Sequence, residues 1–341
     1  MFRGNPLNTA VVADVLPEKL TVRWKFTAGD AVSSTAAIVN GAAYVACRNG
    51  KLYALDMKDG GLRWQTDAGA EIQSSPSVVG GLVVFGDDGG VLHARDATTG
   101  AQRWTFKTQN RIVASANWRA ERLVFGSYDG GLYCLRVSDG GLLWRYDAQE
   151  RIHGPPAIVG DVVLQAACDA HLHVVSLETG TPVRKVPLGS VSGSAAAVRG
   201  SRVFLGTYGQ QVVAIDWQAG RVVWRFEDAD NALPFLSSAA VTETLVLIGG
   251  HDKRLHALDA ESGEQRWKLA TKGQIDSCPV VVGQRVFVGS DDGNLYAVDL
   301  ATGGERWRFE AGGAISASPA VGEGCLVIGT EQGVVYCFAQ R

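Results

Sequence analysis

Short apolar runs alternate with tight polar turns from Leu20 to the end of the chain, and the alternation is periodic. The stretch Gln274–Phe309, QIDSCPVVVGQRVFVGSDDGNLYAVDLATGGERWRF, is the clearest unit: four apolar runs joined by a Gly turn, a Ser-Asp-Asp-Gly turn and an Ala-Thr-Gly-Gly turn. Runs of this length, bounded by Gly, Asp and Thr and enriched in β-branched and aromatic residues, predict strands rather than helices. The third run of the unit recurs eight times, as LYALD at 52, LHARD at 92, LYCLR at 132, LHVVS at 172, VVAID at 212, LHALD at 255, LYAVD at 295 and VYCFA at 335. The fourth carries Trp24, Trp64, Trp104 and Trp144 at intervals of 40, then Trp224, Trp267 and Trp307, with Val183-Arg184 where one Trp is missing. A four-stranded unit repeated eight times predicts an all-β, eight-bladed β-propeller of antiparallel blades.

The two ends are complementary. The chain opens on a lone Trp-bearing run, 20–26, and closes at 335–339 with no such run after it, so the N-terminal strand is expected to complete the last blade and close the ring. The domain reading is therefore one propeller over 20–341, preceded by a loosely docked tail, 1–19, that shows no periodicity. The recurring Trp is expected between adjacent blades, and the Asp ahead of each outer turn (Asp56, Asp96, Asp216, Asp259, Asp299) as a cap of that turn.

Composition narrows the function. The chain is 46% hydrophobic with a net charge of −3 and has no Lys/Arg-rich run, which argues against nucleic acid as partner. No apolar run is long enough to span a membrane. The six cysteines (Cys47, Cys134, Cys168, Cys278, Cys325, Cys337) include no vicinal or CxxC pair. Cys325 and Cys337 are expected on opposite faces of their hairpin. Free thiols and a start without a signal-peptide h-region suit a cytoplasmic, monomeric propeller, or a periplasmic or extracellular one if a leader has been removed.

The unit Ser-Ser-Pro…Gly-Ser-x-Asp-Gly-x-Leu-Tyr-Ala-Leu-Asp…Thr-Gly resembles the pyrroloquinoline-quinone-type propeller repeat. Ser74-Ser75-Pro76, Gly289–Gly293, Leu295–Asp299 and Thr302-Gly303 carry the resemblance best, and it extends over 20–341. It implies one of two branches. The quinoprotein dehydrogenases hold the quinone and a calcium ion in the channel, under a vicinal-cysteine ring and long walling loops. A non-catalytic branch, similar to the propeller lipoprotein of the outer-membrane β-barrel assembly machine, binds proteins. This chain has neither the vicinal cysteines nor the long loops, and no lipobox cysteine. The reading is a bacterial, non-catalytic scaffold without a cofactor, binding a protein or peptide. A minimal quinone-dependent oxidoreductase or quinone-binding sensor, with the quinone and calcium, is the alternative.

Departures from the unit's own consensus locate the candidate surface. The residue two before the Gly slot of the middle turn reads Arg48, Asp88, Tyr128, Cys168, Tyr208, His251, Asp291 and Glu331 around the ring. The start of the innermost strand reads Ala31, Glu71, Arg111, Arg151, Ser190, Pro234, Gln274 and Ala314; two residues later come Ser33, Gln73, Val113, His153, Ser192, Leu236, Asp276 and Ser316. Both sets should lie at one mouth of the channel. The candidates for partner or ligand binding are Glu71, Gln73, Arg111, Arg151, His153, Gln274, Asp276, Arg48, Tyr128, Tyr208, His251 and Glu331, with Arg111, Arg151 and His153 a cationic sector between Glu71 and Asp276. The alternative is a solvated rim whose charges pair with one another.

No catalytic motif or zinc-type spacing is present. His93, His173 and His256 replace Tyr53, Tyr133, Tyr296 or Tyr336 of other units and read as packing residues; His171, His173, Asp169 and Cys168 could form only a surface metal site. Pro182 and Pro187 mark an outermost edge strand, and the acidic loop 227–233 is either a docking feature or a tolerated insertion.

Overall fold

The computed structural model describes residues 4–340 and contains eight sheets arranged as blades. Blade 1 is typical: Ala37–Val39, Ala42–Ala46, Lys51–Asp56 and Leu62–Asp67 follow one another as antiparallel neighbours from the channel outward. The two middle strands are buried throughout, which is why they read as continuous apolar runs, whereas the outer strand alternates. The last blade joins Ala320–Gly322, Cys325–Gly329 and Val334–Ala339 to Thr21–Thr27, with Trp24 opposite Cys337. The ring is closed by the N-terminal strand, as the complementary ends predict.

The Trp has a defined partner. Six of the seven recurring indoles lie on the positive-φ glycine of the next blade's outer turn: Trp24 on Gly60, Trp64 on Gly100, Trp104 on Gly140, Trp144 on Gly180, Trp224 on Gly263 and Trp267 on Gly303. A Cβ on any of these glycines would fall 2.6–2.8 Å from an indole carbon. The indole Nε1 donates to the backbone carbonyl three residues before that glycine, at 2.9–3.2 Å. Where the Trp is missing, the Arg184 side chain covers Gly220 instead. The Asp caps are present too: Asp56 Oδ1 accepts from Lys58 N, and Asp299 Oδ1 from Ala301 N and Thr302 N. For Asp56, Asp96, Asp259 and Asp299 the other carboxylate oxygen pairs with the Arg seven residues on, as in Asp259–Arg266 at 2.7 Å, whereas that of Asp216 accepts from Ser201 Oγ.

Near the channel, the Ser-Ser-Pro motif forms a belt between blades. The Thr35 amide donates to Ser75 Oγ, Ser75 to Ser115 Oγ, Ala195 to Ser238 Oγ, Ser238 to Cys278 Sγ and Cys278 to Ser318 Oγ. Pro155 and Ala195 occupy the same slot without a hydroxyl, so the belt is interrupted at blades 4 and 5, where the repeat is least regular.

Two expectations are corrected. Residues 4–19 are not a loosely docked tail. Pro6–Val12 threads the channel, and carbonyls of Pro6, Leu7, Thr9 and Ala10 accept from Ile158, Val198, Val241 and Val281, one on each of blades 4 to 7, at 2.8–2.9 Å. Val11–Val12 also pairs in parallel with Val281-Val282, giving blade 7 a fifth strand. Asn8 is fully buried, its Nδ2 donating to Pro156 O and Ala196 O. Each innermost strand turns an unpaired edge toward the channel, and these amides need acceptors. The segment supplies them to a new blade every residue or two, so its pattern follows the ring and shows no strand period. A cavity of about 270 Å³ remains beside it, between Ala10, Val12 and the innermost strands of blades 8 and 1.

Cys325 and Cys337 lie on the same face, not opposite faces. Val327 pairs with Cys337, and Cys325, two residues earlier, shares its side. Both are free and buried, and Arg23 Nη1 is 3.4 Å from Cys325 Sγ. A hydrogen bond between the two thiols lowers the Cys325 pKa and raises that of Cys337.

Candidate functional site

The eight variable positions stand on a rigid frame at one mouth of the channel. In every blade the middle-turn residue donates its backbone N–H to the carbonyl at the start of the innermost strand: Arg48 to Ala31, Asp88 to Glu71, Tyr128 to Arg111, Cys168 to Arg151, Tyr208 to Val191, His251 to Pro234, Asp291 to Gln274 and Glu331 to Ala314. One side chain per blade is thus held beside the start of its own innermost strand. In blade 5 the partner is Val191, so the slots assigned to Ser190 and Ser192 belong to Val191 and Gly193. Ser194 takes the buried place of Ser74, each hydroxyl bonding the glycine carbonyl at the end of the adjacent strand. The repeated Ser-x-Ser of 190–194 conceals this register.

Side chains across the rim pair at two separations. Within a blade, Arg48 Nε meets Ser33 Oγ at 3.3 Å, Gln73 Nε2 donates to Asp88 Oδ2 at 2.7 Å and Ser316 bonds Glu331. Between blades, the Tyr128 hydroxyl lies 2.6 Å from His153 Nδ1 and His251 Nε2 lies 2.8 Å from Asp276 Oδ1.

The expected cationic sector is assembled around Tyr128. The Arg111 guanidinium carbon lies 4.2 Å from the Tyr128 ring centre and that of Arg151 5.9 Å from it. Arg111 also approaches Asp88 at 3.8 Å. Among the described residues no carboxylate forms an ion pair with Arg151. Tyr128, Arg151, His153, Cys168, Val191 and Tyr208 enclose a pocket of about 360 Å³. Gly193 makes its room: a Cβ there would stand 3.2 Å from His153 and 3.5 Å from Tyr208. His153 reaches solvent but is crowded by protein in this concave wall. That burial, with Arg111 and Arg151, lowers its pKa and favours the neutral ring. Burial raises the Tyr128 hydroxyl pKa against the pull of the two arginines.

Glu71 and Asp276 do not both flank this sector. Glu71 is on the adjoining blade 2 with its side chain exposed, while Asp276 is on blade 7 and bound to His251. Asp291 stands near Asp276 and Glu331; burial and those two carboxylates raise its pKa, and His251 partly offsets them. The rim therefore has a cationic-aromatic side on blades 3 to 5 and an acidic side on blades 7 and 8, with Glu71 and Asp88 adding carboxylates on blade 2. Gln274 contributes its carbonyl to the frame on the acidic side. Sequence reasoning left Asp291, Cys168, Val191 and Gly193 out of the candidates. Cys168 and Asp291 were visible as departures at the turn position, whereas Gly193 had no signal because a pocket is made by what it lacks.

The remaining polar clusters are structural. His93, His173 and His256 each bond the Asp of their own turn (Asp87, Asp169, Asp252), just as Tyr133 and Tyr296 bond Asp129 and Asp292. Asp169 holds His171, His173 and Lys185 together, which occupies the carboxylate a surface metal would need. Asp228, Asp252 and His256 converge within 4.8 Å, but Arg254 and Lys268 already neutralise Asp228. The acidic loop 227–233 is thereby folded onto blade 6, with Asp230 also on Lys268.

A family profile described as outer membrane protein assembly factor BamB matches residues 8–147, 112–231 and 220–339. The crystal structure of BamB from Moraxella catarrhalis superposes with a TM-score of 0.80 at 22% identity, covering 95% of this chain and 98% of that one. Quinohemoprotein alcohol dehydrogenase from Comamonas testosteroni superposes with a TM-score of 0.85 at 13% identity, over 100% of this chain and 80% of that one. The computationally designed Ika8 protein gives 0.83 at 17% identity, over 94% and 99%. At these identities the superpositions establish the fold. A curated relative, beta-alanine-activating enzyme of Danio rerio, is 28% identical over 116 residues, 33% of this chain, which spans only 10% of that protein's length.

Proposed function

We propose that this chain, which belongs to the family of the outer membrane protein assembly factor BamB, is a non-catalytic binding scaffold that presents the variable rim of its channel to a protein or peptide partner. The observation that carries the reading is the ring of eight variable side chains, each held by the same backbone hydrogen bond and sorted into a cationic-aromatic and an acidic side. A fixed frame with variable, complementary charges selects a partner by electrostatics and orientation. The N-terminal segment crosses the channel, so the rim rather than a through-channel is the usable surface.

The superposition on a quinohemoprotein dehydrogenase raises a second reading, a quinone with calcium at the same mouth. Calcium takes six to eight oxygen ligands. Here Asp276 is already bound to His251 and Glu331 to Ser316, and burial with two neighbouring carboxylates disfavours the charge on Asp291, so the acidic side supplies few oxygens free to converge on one cation. These contacts support the scaffold reading over the quinone with calcium.

The test is site-specific photo-crosslinking in cells. A photoreactive residue at Gln73 or Gln274 should yield a discrete polypeptide adduct, and one at Lys58, on the outer hairpin turn, should not. Adducts from Lys58 alone would reject the rim. Calorimetric titration with pyrroloquinoline quinone and calcium should give no saturable heat; a stoichiometric response would reinstate the second reading.

A further inference from the structure

We infer that the pocket between Tyr128, Arg151 and Tyr208 is a receptor for one glutamate side chain of the partner; this rests on the scaffold reading above. The pocket has two kinds of wall. Val191 and the rings of Tyr128 and Tyr208 are apolar, and Tyr208 is 48% exposed. At its edge stands the Arg151 guanidinium, which has no carboxylate partner among the described residues, with Arg111 on the same Tyr128 ring. Arg151 also meets the Cys168 side chain; a guanidinium held over an aromatic face is ordered before binding and keeps its remaining in-plane N–H donors for a planar carboxylate.

The neighbouring groups do not compete for the anion. His153 is turned to the Tyr128 hydroxyl and is favoured as the neutral ring, and burial favours the protonated thiol of Cys168. Gly193 leaves the space that any side chain would fill. A glutamate places two methylenes against Val191 and the tyrosine rings and its carboxylate against Arg151. An aspartate is one methylene too short to span both walls, and a glutamine keeps the shape but loses the charge.

The experiment titrates the full chain with three blocked decapeptides that are identical except for one central Glu, Asp or Gln, with inorganic phosphate as a fourth probe. The Glu peptide should bind at least about 10-fold more tightly than the Gln peptide, with Asp between. Arg151→Gln should bring the Glu peptide to the level of the Gln peptide, and Gly193→Val should weaken all three. Arg306→Gln, on an outer hairpin, should change nothing and controls for net charge. Equal binding of Glu and Gln, no binding of Glu, undiminished binding by Arg151→Gln, or saturation by phosphate alone would each overturn the inference. Photo-crosslinking at Gln73 separates the two readings. Adducts that persist in Arg151→Gln alongside failed Glu selectivity leave the scaffold standing without this anchor. Glu selectivity without adducts leaves the pocket and rejects the scaffold.

Discussion

Trp144 lies with its indole on Gly180, one blade further on, and donates Nε1 to Leu177 O at 2.9 Å. The contact requires a residue without Cβ at φ +71°, so one glycine carries both a backbone and a packing constraint. Gly180→Ala is expected to destabilise the fold by about 3 kcal/mol, combining left-handed backbone cost with overpacking. Gly160→Ala, at φ +52° with nothing within 4 Å, should cost only about 1 kcal/mol. Urea denaturation of the two variants tests the difference.

Blade 4 is the complementary case. Arg184 covers Gly220 where other blades use Trp, and Trp217 O occupies the acceptor position three residues before that glycine. Arg184→Trp is expected to raise stability by about 1 kcal/mol by burying an indole at this joint. A lower denaturation midpoint would show that the Pro182 and Pro187 strand cannot present the ring as its neighbours do.

The N-terminal segment should be a structural part of the ring. Asn8→Ala removes two buried donor bonds and a residue suited to φ +55°, and is expected to cost about 2 kcal/mol. Removing residues 4–12 should speed hydrogen exchange at the Ile158, Val198, Val241 and Val281 amides, while blade 2 stays protected.

Stability should fall on acidification through the blade 4 clamp. Burial lowers the His173 pKa despite Asp169, with Lys185 and His171 adding to the shift; Tyr146 bonds its other nitrogen. The unfolded chain therefore takes up the proton first, and stability is lost as pH drops below about 6.5. Asp169 is desolvated, but its bonds to Lys185 and His173 outweigh that and lower its pKa, so a second loss follows below about 4. His173→Tyr, the residue used by blades 1, 3, 7 and 8, should flatten the first loss and leave the second, as read by urea midpoints from pH 7 down to about 3.

The candidate site was legible in part. Arg111, Arg151, His153 and Tyr128 stood out because each breaks a repeated pattern, and the fold brings them together. The pairing of Asp276 with His251 was not legible, because rim partners lie either 15 or 25 residues apart depending on side-chain reach across the blade boundary. The one-residue error at Ser190 came from a Ser-x-Ser run that fits the consensus in two registers.

By itself the sequence determined the blade count, the strand order and the closure of the ring, because each follows from a local pattern repeated at a fixed interval. Only the tertiary structure decided the course of Pro6–Val12, the shared face of Cys325 and Cys337, and the pocket opened by Gly193. The first depends on unpaired strand edges gathered from four blades, the second on a cross-strand register, and the third on a side chain that is not there. None of these leaves a periodic trace along the chain.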